Sequence, residues 1–361
     1  MTDKFPGKSD APSGEAAYPV GFWDHPAVIS ANNFVHKSLS QWAFNTAIGC
    51  SHGCRFCYVP SAATIKLSPK LAPMSVSDPD AQWGQYVFLR TWDEAKFLAS
   101  LKVAEKTPSV ELKADGNRAV IYCSTTDPYQ VIYHPDIARR QELAKAGRRL
   151  VTRSLELIHA NSTVNVRILT RSPLARLDFD LFKKFGKRLI FGMSLPTLRE
   201  DLSRIYEPNA PSPQKRLETL YAAKAAGLHV FVAMAPTYPE CDEEDLEATI
   251  DAIKDLDLVT IFHEPINIRA ENITRIRDHA ASLDVTLNTD VFSTQAQWAT
   301  YAMESLRAVE SIATRKKLSK RLHLWPDKAL SSKSVLQSIK SPKKHMEWLG
   351  KQWAKKSAWP K

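Results

Sequence analysis

The sequence predicts an α/β protein of about six β/α units on a largely parallel sheet. Three observations carry that prediction. From about residue 42 to 283, short apolar runs of strand character alternate with helical stretches. Five of the runs end in polar or special residues, as the C-terminal edges of parallel strands do where chemistry collects. Three cysteines crowd into GCSHGCRFCY, residues 49–58, in the loop after the first strand.

The elements follow in order. NRAVIYCSTT (117–126) reads as a buried strand, and RRQELAKAGRRLVTRSLELIHA (139–160) as an amphipathic helix. NVRILTRSP (165–173) is a strand, LDFDLFKKFG (177–186) a short helix closed by Gly186, and RLIFGMSLPT (188–197) a strand. SPQKRLETLYAAKAAG (212–227) is a helix with Ser212 as N-cap, Pro213 at its first position and Gly227 at its end. HVFVAMAPTYP (229–239) is a strand and DEEDLEATIDAIKDLD (242–257) a helix with acids in its first turn. VTIFHEPIN (259–267) is the last strand, followed by a helix around 271–283. The strand ends bring Cys123–Asp127, Thr170–Arg171, Ser194, Pro236–Tyr238 and Glu264–Asn267 to the edge that the cysteine loop occupies.

The 361 residues, 44% hydrophobic, suffice for one large α/β domain with additions or for two ordinary domains. Five cysteines, three of them in one loop, make a poor disulfide framework and a good metal or cluster site in a reducing compartment. The start, MTDKFPGKSDAPSGEAAYP, lacks an apolar core and reads as a disordered arm rather than a signal peptide. The most apolar stretch, 229–236, is too short to span a bilayer. A soluble cytoplasmic protein without a membrane partner is expected. Charge is uneven: residues 315–361 hold 14 Lys and Arg against 2 Asp and Glu, while the whole chain carries +10.

The cysteine spacing, C-x3-C-x2-C, leaves three readings. Structural zinc wants four ligands, so His52 or Cys123 would have to complete it. A ferredoxin-type cluster normally takes four cysteines. A 4Fe–4S cluster held by three thiolates keeps one iron open for a substrate or cofactor. Gly49 and Gly53 permit the tight backbone that wrapping a cubane needs.

The loop, with Phe56 before its third cysteine and Tyr58 after it, resembles the radical SAM superfamily. TAIGCSHGCRFCYVP, CSTTDPYQ, RILTRSP and IYEPNAPSPQKRLETLYAAKAAG, with VAMAP behind, are similar to its spore photoproduct lyase and DNA repair photolyase-like branch over about residues 42–275. The resemblance implies a partial (β/α)6 TIM-type barrel, with Cys50, Cys54 and Cys57 on a 4Fe–4S cluster. The open iron would chelate S-adenosylmethionine (SAM), and reduction by a flavodoxin- or ferredoxin-type electron donor would release a carbon radical. It further implies Arg171 and Ser194 around the cofactor and Cys123 and Tyr58 as catalytic residues; Phe56 in the loop, the Thr126 hydroxyl and the Glu264 carboxylate are read as further cofactor contacts. In the lyase a hydrogen-donating cysteine lies in a Cys-Thr-Ser-Asp stretch; here Cys123-Ser-Thr-Thr-Asp127 has one residue more. The lyase relay also uses tyrosines on both sides of the third cluster cysteine, and Phe56 breaks that pattern.

Cys241, just past the 229–239 strand, could join Cys123 to present a soft centre such as trivalent arsenic to a SAM-derived 3-amino-3-carboxypropyl group. Asp127, Tyr129 and Glu264 are further polar candidates; Glu207-Pro208 belongs to the branch pattern and reads as structural. The expected layout is an arm over 1–41, a core over 42–275 and a helical extension over 276–361 with its basic tail from 315. Trp325, Trp348, Trp353 and Trp359 lie in that tail, and Met346, Leu349 and Trp353 share one face of a helix over about 342–356. This face either packs on the barrel or, with the lysines, contacts nucleic acid; a membrane surface is a third reading. Because Phe56 breaks the lyase relay and the core before residue 315 is not itself basic, a small-molecule substrate is expected ahead of DNA or RNA, and a zinc-binding nucleic-acid module is the non-enzyme alternative. On the small-molecule reading, truncation at about residue 314 should spare turnover.

Overall fold

A computed structural model describes residues 19–32, 39–112 and 117–360. The expected N-terminal disorder falls largely on residues outside that set. The described chain opens with β1 (Val20–Pro26), β2 (Ile29–Ala31), β3 (Trp42–Phe44) and β4 (Ala47–Gly49). After the cysteine loop come two single turns, α1 (Val59–Ala62) and α2 (Ser68–Leu71), then β5 (Val87–Thr91), α3 (Glu94–Lys106) and β6 (Ala119–Tyr122). Strand and helix then alternate through α4 (Ile137–Asn161), β7 (Asn165–Thr170), α5 (Phe179–Lys183), β8 (Leu189–Ser194), α6 (Glu200–Tyr206) and α7 (Pro213–Ala225). They continue through β9 (His229–Thr237), α8 (Glu243–Ile253), β10 (Ile261–Pro265) and α9 (Asn272–Ser282). The C-terminal part holds α10 (Gln295–Arg315), β11 (Leu322–Leu324), α11 (Lys333–Ser338) and α12 (Pro342–Ala354).

The main sheet has eight strands in the order β11-β10-β9-β8-β7-β6-β3-β2, parallel from β11 to β3 with β2 antiparallel on the edge. The six strands expected from the alternation are β3 and β6 to β10. The sheet curls without closing. Arg167 on β7 lies 5.4 Å from the ring of Phe262 on β10, three strands away, a span of about 14 Å in a flat sheet. Its inner face packs Ala43, Ile121, Ile190, Phe231 and Phe262 into one cluster with Trp325.

Local signals act where expected. Ser212 Oγ accepts from Lys215 N with Pro213 at the first helical position, and Asp242 caps α8 ahead of three acids. Gly192, in the middle of β8, is required by packing: a Cβ there would meet the Phe231 ring at 2.4 Å.

Two features depart from the sequence reading. A second sheet, β1-β5-β4, backs the cysteine loop; β1 (VGFWDHP) mixes apolar residues with Asp24 and His25, and β4 has only three residues, so neither stands out in the sequence. The extension, in turn, is not only helical. Its β11 adds a parallel strand beside β10, with Leu322, His323 and Leu324 facing Ile261, Phe262 and His263. The tail's tryptophans pack inward. Trp325 stacks on Phe262 at 4.5 Å, Trp348 donates to Glu310 under Arg307, Trp353 Nε1 donates to Pro326 O, and Trp359 lies 5.4 Å from the Arg167 guanidinium. The buried face of α12 is His345, Trp348 and Leu349, whereas Met346 is exposed. Truncation at about residue 314 would strip a barrel strand, so it does not discriminate between substrates. No helix among the described residues is long and apolar enough to cross a membrane.

His263 sits fully buried on β10. Its Nδ1 donates to Met234 O at 3.2 Å, which leaves Nε2 to accept from Ser305 Oγ at 3.3 Å. Burial pulls its pKa down to about 4 from 6.5. Between those values only the unfolded chain holds the proton. Stability from this site is therefore present above pH 6.5 and falls as pH drops toward 4, by up to about 1.4 kcal/mol per pH unit. Denaturant unfolding across that range should show a shallower decline for His263→Asn than for the parent chain; equal slopes would contradict the assignment.

Candidate active site

Residues 49–57 form a loop whose backbone polar groups are met from outside. Gly49 O accepts from Thr126 Oγ1 at 2.6 Å, and Ser51 N donates to Gln130 Oε1 at 2.6 Å. Asn209 reaches Ser51 O with its side chain at 3.1 Å and His52 O with its own N–H at 3.4 Å. Arg55 N donates to Tyr206 O at 2.9 Å, Asn272 Nδ2 donates to Phe56 O at 3.1 Å, and Arg275 binds Cys57 O. Two tight internal bonds, Gly53 N to Cys50 O and Cys57 N to Cys54 O, complete the turn. Glycine is obligatory at 49, where φ is +87° and a Cβ would stand 2.2 Å from Tyr86 O.

The loop opens on a cavity of about 470 Å³ at the C-terminal edge of the main sheet. Cys50, Cys54, Phe56, Cys57, Tyr58, Cys123, Thr126, Arg171 and Glu264 all line it, as do His52 and Asp127. Ser194 is not on its wall: it is buried, and its hydroxyl donates to Ala235 O at 3.3 Å. Cys241 is also absent from the wall, so the two-thiol clamp expected of Cys123 and Cys241 is not formed. Thr126 spends its hydroxyl on the loop, donating to Gly49 O and accepting from Gln130 Nε2.

Electrostatics in the pocket are arranged around two carboxylates. Asp127 accepts from Tyr129 N, Thr170 Oγ1 and Arg171 N, and stands 3.5 Å from His52 Nδ1. Burial lowers the His52 pKa, outweighing Asp127, so the ring is neutral. Glu207 is fully buried. Its Oε1 takes Arg171 Nε at 2.5 Å and its Oε2 the fully buried Arg216. Burial opposes its ionisation, but the two guanidiniums prevail and hold its pKa near 2. Glu207 therefore does more than tie a loop: it grips one edge of Arg171, and the terminal nitrogens make no hydrogen bond among the described residues.

Such a site fits a cluster with a sulfonium cofactor. Burial pushes the thiols of Cys50, Cys54 and Cys57 up to about 12, so they wait as thiols until a metal displaces the protons. Arg171 and Glu264 line the same cavity as these thiols, one a cation and the other a carboxylate. Sequence reasoning missed Gln130, Asn209, Asn272 and Arg275. Asn272 and Arg275 carry no signal beyond a helix start, because their partners lie more than 200 positions away.

Removing Glu207 tests the ionic network. Glu207→Gln leaves two buried guanidiniums uncompensated and should cost ~3–5 kcal/mol of unfolding free energy. Adding Arg216→Met should recover part of that loss; denaturant titration reads both.

A family model described as the Radical SAM superfamily matches residues 44–253, more than half of the chain. "Uncharacterized protein ORF301" of Acidianus two-tailed virus is 33% identical over 253 residues, covering 68% of this chain and 74% of that protein. "Uncharacterized protein Rv2578c" of Mycobacterium tuberculosis (strain ATCC 25618 / H37Rv) is 28% identical over 203 residues, 55% of this chain and half of the mycobacterial one. Among solved structures, a spore photoproduct lyase mutant superposes with TM-score 0.58 at 13% identity over 90% of this chain and 87% of that one. Another, with bound AdoMet and dinucleoside spore photoproduct, gives 0.56 at 15% identity over the same shares. At such identities the likeness is one of fold. The chain belongs to the radical SAM superfamily, whose enzymes use a 4Fe–4S cluster and SAM, and it is an enzyme of that kind.

Proposed function

We propose that this enzyme modifies a small molecule held in the cavity above Cys50, Cys54 and Cys57. The observation that carries the reading is convergence. The three thiols, Arg171, Cys123 and Tyr58 line one cavity, and the tail's tryptophans line it (Trp325, Trp353) or pack against the chain (Trp348 on Glu310 and Arg307, Trp359 on Arg167) instead of standing fully exposed to nucleic-acid bases. Bound there and reduced by an electron donor, the cluster and SAM supply a carbon radical.

The chain's own residues do the rest. Cys50, Cys54 and Cys57 would hold the cluster; Arg171, steadied by Glu207, would take the SAM carboxylate, and Glu264 would orient the amino group. The apolar walls formed by Leu39, Ile121, Leu169 and Ala233 exclude water that would quench a radical. Cys123 is the hydrogen-atom donor: burial pushes its pKa up to about 12, which keeps hydrogen on Sγ, and Thr46 Oγ1 lies 3.6 Å away. Breaking S–H homolytically would form C–H on the substrate radical and leave a thiyl on Cys123. Tyr58, whose phenol burial also keeps protonated, would return the hydrogen atom, its O–H breaking as S–H re-forms and leaving a phenoxyl radical that the external electron donor and a solvent proton restore to the phenol.

A lyase-like reaction on DNA or RNA is the second reading, favoured by the fold shared with the lyase bound to a dinucleoside photoproduct. Phe56 lacks the phenolic hydrogen of that relay. An arsenic acceptor loses support with Cys241 off the cavity wall.

Anaerobic reconstitution followed by dithionite and SAM should yield 5′-deoxyadenosine. Production of 5′-methylthioadenosine would instead favour aminocarboxypropyl transfer, and an intact cluster giving neither product would refute the proposal. Alanine at Cys50, Cys54 or Cys57 should abolish the iron–sulfur chromophore and both products.

A further inference from the structure

We propose that the C-terminal extension builds the acceptor subsite of this cavity, and that the subsite takes a planar aromatic or heteroaromatic molecule bearing one anionic group. The inference rests on the radical SAM reading and names the class of substrate.

Trp325, Lys328 and Trp353 line the same cavity as Cys123, yet lie far beyond residue 253, where the family match ends. They are therefore placed to serve this chain's own substrate rather than chemistry common to the family. Trp325 follows β11, is stacked on Phe262 at 4.5 Å with 24° between planes, and is only 7% exposed, so its ring is held in one orientation. Trp353 is fixed through Nε1 to Pro326 O at 2.8 Å. Two fixed indoles lining the cavity offer aromatic faces for a flat ring.

Charge orients the guest. Of two guanidiniums on the cavity wall, Arg171 is taken by the SAM carboxylate on this reading and Arg269 is paired with Asp327. Lys328 is exposed, and its ammonium makes no hydrogen bond or ion pair among the described residues; only its carbonyl is engaged, accepting from Ser331 Oγ. Asp127 and Glu264 also line the cavity, and their carboxylates disfavour an anion beside them. A bound molecule thus puts its anion outward at Lys328 and its ring inward on Trp325, toward Cys123.

Calorimetry on SAM-loaded holoenzyme tests this with 2-naphthoate, 2-naphthyl phosphate and the neutral 2-naphthamide. At least one anion should bind fivefold or more tighter than the amide; whichever anion is preferred supports the proposal and separates carboxylate from phosphate substrates. Lys328→Ala should bring the preferred anion within twofold of the amide while SAM affinity stays unchanged. Trp325→Leu should weaken all three ligands at least fivefold, whereas Trp325→Phe, which retains a stacking face, should recover most of that loss. Equal binding of anions and amide, or a preference that survives Lys328→Ala, would overturn this proposal alone. A wild-type protein that binds no SAM would overturn the cofactor reading and this proposal with it.

Discussion

One constraint shapes this protein: a nine-residue loop must keep an irregular, partly buried backbone while its thiols face inward. Backbone groups in such a loop cannot bond each other as a helix or strand would, and leaving them bare costs free energy at every position. The fold answers from four directions. Thr126 and Gln130 come from the loop after β6, Asn209 from the segment after α6, and Asn272 and Arg275 from α9. The small sheet closes the remaining side, where Tyr86 forbids any side chain at Gly49. The β/α core thus holds the site chiefly by aiming distant side chains at one short stretch of main chain.

Electrostatics follow from the same enclosure. Burial makes every cysteine in the cavity a reluctant acid, so anionic sulfur needs nearby cations. Arg171, Arg216 and Arg275 all lower the acidity barrier for one or more of the loop thiols. Two of those guanidiniums share Glu207, which sets their direction and keeps the local charge from becoming excessively positive. Phe56 lies against Arg171, and Tyr238 against Phe56 in turn, so the charged layer rests on an aromatic one.

Much of this was legible in the residues. Alternating apolar runs with capped helices, such as Ser212-Pro213 to Gly227, located the core strands because periodicity and caps are local signals. The cysteine spacing located the loop for the same reason. What escaped was non-local. β11 is three residues, Leu-His-Leu, too few for a periodic signal, whose identity as a strand comes only from pairing with β10. Arg171 was legible as a cation at a strand end, but its partner Glu207 lies 36 positions on and read as a loop tie. Ser194, equally well placed by strand counting, turns its hydroxyl to Ala235 instead of the cavity, a difference of side-chain direction that spacing does not encode.

The account turns on three thiols leaving one corner of a cubane for the cofactor. Mössbauer spectroscopy of iron-57-enriched, oxygen-free protein, with and without SAM, measures that directly. One iron should change its isomer shift on SAM addition while the other three keep theirs. Four irons that respond alike, or a spectrum without a cubane, would contradict it.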